Sequence, residues 1–202
     1  LFLEGALLSY KKGEYIIRPG EEPNGVYYIE EGLVKAYSIT KYGEENLLII
    51  RKGHEIFPLI WAITGQERHI VYQALCPTSL RRIPFETYNN FLTTHPDALP
   101  PVIDMITEMY RLHSERILTL EYRSVRERLV SFLLTMNERF GEAAPDGMLI
   151  NVPLRHQDIA SSINASRETT SRELAGFERK KLITNRQLYI TLKDIPKLQD
   201  HL

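Results

Sequence analysis

Cysteine is almost absent from this chain: Cys76 stands alone among 202 residues. One thiol excludes an internal disulfide and any four-thiolate zinc or iron–sulfur site within one chain. The expected role of Cys76 is that of a small buried apolar side chain. Long apolar runs are missing as well. None approaches the roughly 18 residues of a membrane span, and no signal peptide is visible, so the reading is of a soluble cytoplasmic protein without a membrane partner. An excess of one charge sign is also lacking, since 25 Lys and Arg stand against 26 Asp and Glu. The chain holds no Ser/His/Asp arrangement, phosphate loop or paired carboxylates, which argues against an enzyme. His54, His69 and His113 are too scattered for a standard zinc spacing. A His could serve as an axial haem ligand, but nothing else supports one, and no cofactor is expected.

What is present is distributed unevenly. Residues 1–122 hold 12 Lys and Arg against 16 Asp and Glu, and the remainder holds 13 against 10. A mildly basic C-terminal part is what a phosphate-binding module needs. Residues 10–85 read as β. Runs rich in Tyr, Ile, Val and Leu fall at 15–18, 26–29, 33–39, 47–50, 70–75 and 79–83. Turn signals such as Pro19-Gly20, Pro23-Asn24-Gly25, Glu31-Gly32 and Lys52-Gly53 separate them. Many short strands spaced by turns predict a sandwich or barrel.

The texture changes at Pro84. A short helix is expected over 85–93, and His95-Pro96 and Pro100-Pro101 punctuate the stretch after it. Between 102 and 120 there is no Gly or Pro. Val102, Met105 or Ile106, Met109, Leu112, Arg116 or Ile117, and Leu120 keep a near 3-4 heptad spacing. Two readings fit: a dimerising helix, or an amphipathic helix packed on its own domain. A second helix is expected over 124–140, with Val125, Leu129, Phe132, Leu133 and Met136 on one face. Ser124 and Glu127 form a capping-box signature, and Gly141 ends that helix. Residues 142–147 read as a loop, with β signals at 148–152.

Two short helices fit 155–163 and 167–180, joined by Asn164-Ala165-Ser166. Asn tolerates the left-handed conformation a tight turn requires. Ser166 is placed to cap the second helix. Ile159, Ala160, Ile163, Leu174, Phe177, Leu182 and Ile183 supply a shared core. Arg167, Glu168, Ser171 and Arg172 fall on the outward face of the second helix's start. Such a face suits a recognition helix in a major groove. Arg can pair with guanine O6/N7 and Glu can accept from cytosine N4. Thr169 and Ser171 are candidate phosphate contacts, and Arg179-Lys180-Lys181 adds unspecific attraction. Residues 184–191 read as a hairpin wing. The spacing alone equally fits a helical pair with a solvated charged face.

The run from Ile159 to Leu174, with its Ser-Arg-Glu-Thr-x-x-Arg core at Ser166–Arg172, resembles the helix-turn-helix of the Crp–Fnr family of bacterial regulators. Gly20-Glu21-Glu22-Pro23-Asn24 with Val26-Tyr27-Tyr28-Ile29, and Glu31-Gly32-Leu33-Val34-Lys35, resemble that family's β-roll. His95-Pro96-Asp97 sits where its dimer helix begins, and Pro145-Asp146-Gly147-Met148 precedes the helix-turn-helix as it does there. The resemblance implies an α+β chain in three parts. Residues 1–95 form a cyclic-nucleotide-binding-like β-roll (a double-stranded β-helix, or jelly roll), 96–122 a dimerisation helix, and 123–202 a winged helix-turn-helix. It implies a homodimer on a palindromic duplex, with Arg167, Glu168 and Arg172 reading a TGTGA-type half-site. It also implies contact with RNA polymerase through residues 141–147 and loops of the roll.

One departure bears on the sensor. Cyclic-AMP binders carry a Gly-Glu pair and an Arg-Ser pair for the ribose and phosphate, and a Thr-Ser pair for the adenine. Those positions hold Phe57-Pro58, Arg68-His69 and His113-Ser114 here. The ribose carboxylate is gone, and Pro58 has no N–H. Phe57 and Trp61 add apolar surface. The expected effector set is therefore Phe57, Pro58, Trp61, Arg68, His69, His113 and Ser114, for a small molecule other than cyclic AMP or for none. The alternative function is a sensing module that controls a partner protein and uses its C-terminal domain for docking.

Overall fold

Short segments rich in Tyr, Ile, Val and Leu and bounded by Gly, Pro and Asn build eight strands in the first half of the chain. They are β1 (Ala6–Tyr10), β2 (Tyr15–Ile17), β3 (Val26–Glu31), β4 (Val34–Ile39), β5 (Glu45–Arg51), β6 (Ile56–Phe57), β7 (Val71–Ala74) and β8 (Thr78–Ile83). The computed structural model describes residues 1–66 and 69–202. The strands pair antiparallel in two four-stranded sheets, ordered β1-β8-β3-β6 and β2-β7-β4-β5. That order is the expected jelly roll. Gly32 makes the β3–β4 turn possible. It sits at φ +98°, and a Cβ there would lie 2.7 Å from the Pro77 carbonyl oxygen.

The core of the roll lies between its sheets, where Tyr27, Ile29, Phe57 and Leu80 of one meet Ile17, Val34, Ala36, Tyr72 and Ala74 of the other. A second cluster joins Val26 and Ile83 to three helices, α1 (Leu59–Thr64), α2 (Phe85–Thr94) and α3 (Leu99–Tyr122). β1, β6 and α1 have no sequence signal distinct enough to place them. Cys76, expected to be buried, is half-exposed in the turn between β7 and β8. A turn residue carries backbone that must face water, and its side chain goes with it.

Helix α3 begins at Leu99, ahead of Pro100-Pro101, which in the sequence read as punctuation. A proline in the first turn costs nothing, because the N–H it lacks has no partner there. The expected apolar stripe is corrected in its register. Val102 is buried. Met105 Sδ lies 3.4 Å from the Ile56 amide, and Met109 Sδ lies 2.9 Å from Arg51 Nη2. The stripe through Val102, Met105 and Met109 therefore packs on its own roll. Leu99, Ile103, Ile106, Tyr110 and Ile117 are exposed instead.

The chain divides into two compact units, Leu1–Leu112 and His113–Leu202. In the second, Ser124 caps α4 (Val125–Phe140) through the full capping box with Glu127. Leu129, Val130, Leu133, Met136 and Phe140 are its buried face. Residues 142–147 are not simply a loop: β9 (Gly141–Ala144) pairs with β10 (Gly147–Ile150). Glu and Ala have weak strand preference, so the pairing comes from neighbours rather than from propensity. Next come α5 (His156–Ser162) and α6 (Arg167–Arg179), then the wing strands β11 (Ile183–Arg186) and β12 (Tyr189–Leu192), and a closing α7 (Ile195–Gln199) that has no sequence signal. The wing extends the β9–β10 hairpin into a sheet ordered β11-β12-β10-β9.

Candidate nucleic-acid interface

The turn between α5 and α6 forms as its residues predict. Asn164 takes φ 49°, and the Ser166 hydroxyl accepts from Thr169 N at 3.1 Å. Thr170 is fully buried and donates to Ser166 O at 3.0 Å. Ile159, Ala160, Ile163, Leu174, Phe177, Leu182 and Ile183 are all buried, as expected for the shared core. Asp158, 5% exposed, sets the start of α5. Its carboxylate accepts from the Arg155 amide at 3.2 Å and from both ends of the Arg155 guanidinium at 2.7 and 2.8 Å. This pair of helices holds Arg167, Glu168 and Arg172 exposed on α6.

Thr169 and Ser171 have protein partners. Thr169 Oγ1 accepts from Ser166 Oγ at 3.1 Å and from Arg172 Nη2 at 3.4 Å. Ser171 Oγ lies 2.7 Å from His156 Nδ1, and Asn185 Nδ2 lies 2.8 Å from His156 Nε2. If Asn185 donates, the imidazole carries its proton on Nδ1 and donates to Ser171. Glu178 Oε1 takes the Asn185 amide N–H at 2.8 Å, fastening the wing to α6. Arg126 on α4 pairs with Glu173 of α6 at 2.7 Å. That hydrogen bond, then the charge of Glu173, raises the Arg126 pKa.

Of the expected effector residues, Phe57, Pro58, Trp61 and His69 lie in the first unit. Phe57 is fully buried in the roll, where its ring stacks between Tyr27 at 5.2 Å and Tyr72 at 4.6 Å. This stack lies in the core between the sheets. Burial above all pushes the Tyr27 phenol up to about 12. Pro58 is buried and leads into α1, its carbonyl accepting from Ala62 N at 3.0 Å. Trp61 turns toward Phe85, ring centres 6.5 Å apart. His69 is exposed with φ 48°. Arg68 lies outside the described residues. His113 and Ser114 belong to the second unit. Among the described residues no group of three or more His, Cys, Asp and Glu is placed to hold a metal ion.

Comparison with known proteins then decides the family. Residues 7–95 match the cyclic nucleotide-binding domain and residues 127–201 match the Crp-like helix-turn-helix domain. The chain belongs to the Crp–Fnr family. It is 30% identical over 186 residues to the global nitrogen regulator of Synechococcus elongatus, covering 91% of this chain and 84% of that one. It is 25% identical over 190 residues to the fumarate and nitrate reduction regulatory protein of Vibrio cholerae, covering 94% and 76%. A CooA mutant from Carboxydothermus hydrogenoformans has the same fold, with a TM-score of 0.82 at 22% identity, covering 98% of this chain and 88% of that one. This Crp–Fnr protein is thus a DNA-binding transcription regulator, and its relatives are regulators rather than enzymes. Sequence reasoning misses His156, Asn185 and Arg126 in this interface. His156 and Ser171 are 15 positions apart and Arg126 and Glu173 are 47 apart. No helical or strand period connects such separations. Among the described residues no helix is long and apolar enough to cross a membrane.

Proposed function

We propose that this regulator binds a palindromic TGTGA-like operator as a homodimer in the cytoplasm. Residues 1–95 serve as sensor, 96–122 as dimerisation helix and 123–202 as DNA reader. The carrying observation is the start of α6, where Arg167, Glu168 and Arg172 stand exposed on a helix held by the Ser166 cap and a buried second face. Ser166, Thr169 and Ser171 supply the surrounding hydroxyls. With Ser171 engaged by His156, its contribution is the hydroxyl hydrogen left over for an acceptor on DNA.

The dimer reading draws on α3. Leu99, Ile103, Ile106, Tyr110, His113 and Ile117 keep a strict 4-3-4-3-4 spacing, and all but His113 are exposed. An apolar a/d stripe left open on a 24-residue helix is a seam for a second copy of it. The regulator's sensor is proposed to answer to something other than cyclic AMP, at or near Phe57, Pro58, Trp61, Arg68, His69, His113 and Ser114. The Tyr27–Phe57–Tyr72 stack supports that reading, since a nucleotide would have to displace it. The β9–β10 hairpin and loops of the roll are the proposed contacts to RNA polymerase. Docking of the C-terminal unit on a partner protein is not favoured by the relatives.

Random-site selection on the purified protein, with and without cell extract, is the test. An inverted repeat with half-sites about one helical turn apart supports the reading. Arg167→Ala and Arg172→Ala should each cost about 1–3 kcal/mol on the selected duplex and relax base preference at one position. Unchanged binding of all sequences by both variants would sink the assignment. Calorimetry with cyclic AMP should give no heat of binding.

A further inference from the structure

Helix α5 has seven residues and ends at the turn that launches the recognition helix. The last carbonyls of a helix have no partner within it, and each must find one elsewhere. Ile159 O accepts from Ile163 N at 3.1 Å, and Ala160 O from Ala165 N across the turn at 3.0 Å. The next two are met from outside. Arg116 of α3 donates its Nε–H to Ser162 O at 3.0 Å, and its Nη2 lies 3.5 Å from Ser161 O. Nothing in the sequence periodicity marks this residue: it falls on the expected apolar stripe, 46 positions before its partner. Burial lowers its pKa, yet a guanidinium remains charged at neutral pH. A cation at this place also complements the negative end of α5. Four successive carbonyls are thereby met, two of them by one side chain of the long helix.

We propose that Arg116 is a positioning residue for DNA recognition. It pins the C-terminus of α5, and through Asn164-Ala165-Ser166 the start of α6, to the last turns of α3. The proposal rests on the dimeric reading above. If α3 is the seam between two copies, the distance between the two recognition helices on DNA is set by how firmly each is tied to α3. A loosened tie should then be read out as lost discrimination between operator spacings. A merely stabilising residue would lower affinity for every spacing alike.

The measurement uses the full chain and duplexes that keep the selected half-sites but lengthen or shorten the spacer by one or two base pairs. Arg116→Met keeps the packing and removes the donors. It should remain a cooperatively folded dimer and bind the best-spaced duplex about tenfold more weakly, the equivalent of one charge-assisted hydrogen bond. Its preference for that spacing should shrink toward unity. Arg116→Lys, with the charge but no planar fork, should recover part of the preference. In the wild type, the Arg116 Nε–H should appear as a slowly exchanging resonance in a 15N–1H spectrum. Wild-type spacing discrimination retained by folded Arg116→Met overturns the proposal, even if overall affinity falls. If that variant does not fold, Arg116→Gln faces the same criterion. Failure of the wild type itself to prefer any fixed spacing removes the dimeric reading first, and this inference with it.

Discussion

Lys181 follows Lys180, the C-cap of α6, at φ 58°, while Lys181 N bonds Glu178 O at 2.9 Å and Leu182 N bonds Phe177 O at 3.0 Å. This is a Schellman closure with lysine where glycine is favoured. A left-handed residue with a Cβ costs roughly 1–2 kcal/mol, partly offset by the greater entropy that glycine loses on folding. Lys181→Gly should therefore raise thermal stability by about 1 kcal/mol while weakening DNA binding, which calorimetry and a binding isotherm measure separately. Phe57 makes the opposite case. Phe57→Ala should cost about 3–5 kcal/mol, because a ring stacked on both faces leaves a cavity that its neighbours cannot close. It should not create cyclic-AMP binding, since Pro58 still lacks the carboxylate. Glu127 carries a pH effect. Its hydrogen bonds with Ser124, side chain first and then backbone, hold its carboxyl below the ordinary value. A depressed carboxyl pKa contributes stability that is complete above the unfolded value and lost as pH falls through the folded one. Melting temperatures between about pH 6 and about pH 3 should fall less steeply in Glu127→Gln than in the wild type.

At the scale of elements, α3 has two apolar faces one residue out of step. Val102, Met105 and Met109 serve the roll, and Ile103, Ile106 and Tyr110 lie open. Apolar residues at both registers make the period readable and the assignment of faces unreadable, because the sequence does not say which face meets the roll. Substitution separates them. Ile103→Glu with Ile106→Glu should leave the melting temperature near that of the wild type and give monomers in sedimentation experiments. Val102→Asp should unfold the first unit, since it buries an unpaired charge. The helix-turn-helix needs less help from its surroundings. Its cap, its left-handed turn residue and its core are local features, and Asn164, Ser166 and the seven core residues stand where the pattern puts them. β9 and α7 are the contrary case, made by pairing and packing with little propensity of their own.

For the whole molecule, the unequal charge of its two parts bears on binding. The part from Arg123 onward is net positive, although the chain totals −1. Affinity for duplex DNA should fall with salt, log K declining by about 0.9 per unit of log[salt] for each phosphate neutralised. Lys180→Ala and Lys181→Ala should each reduce the slope by about 1 without changing the selected sequence, if each meets one phosphate. A slope unaffected by both would remove these lysines from the interface.

The sequence by itself determined what depends on near neighbours: the strand-rich first half, the caps of α4 and α6, and the exposed triad Arg167, Glu168 and Arg172. Spacing of two to four residues is set by backbone geometry, and that information is written in the chain order. Only the tertiary structure decided which face of α3 is covered, that Phe57 lies in the core of the roll, that His156 engages Ser171, and that Arg116 closes the end of α5. Each of these joins residues far apart in sequence, and a contact of that kind exists only once the chain has packed.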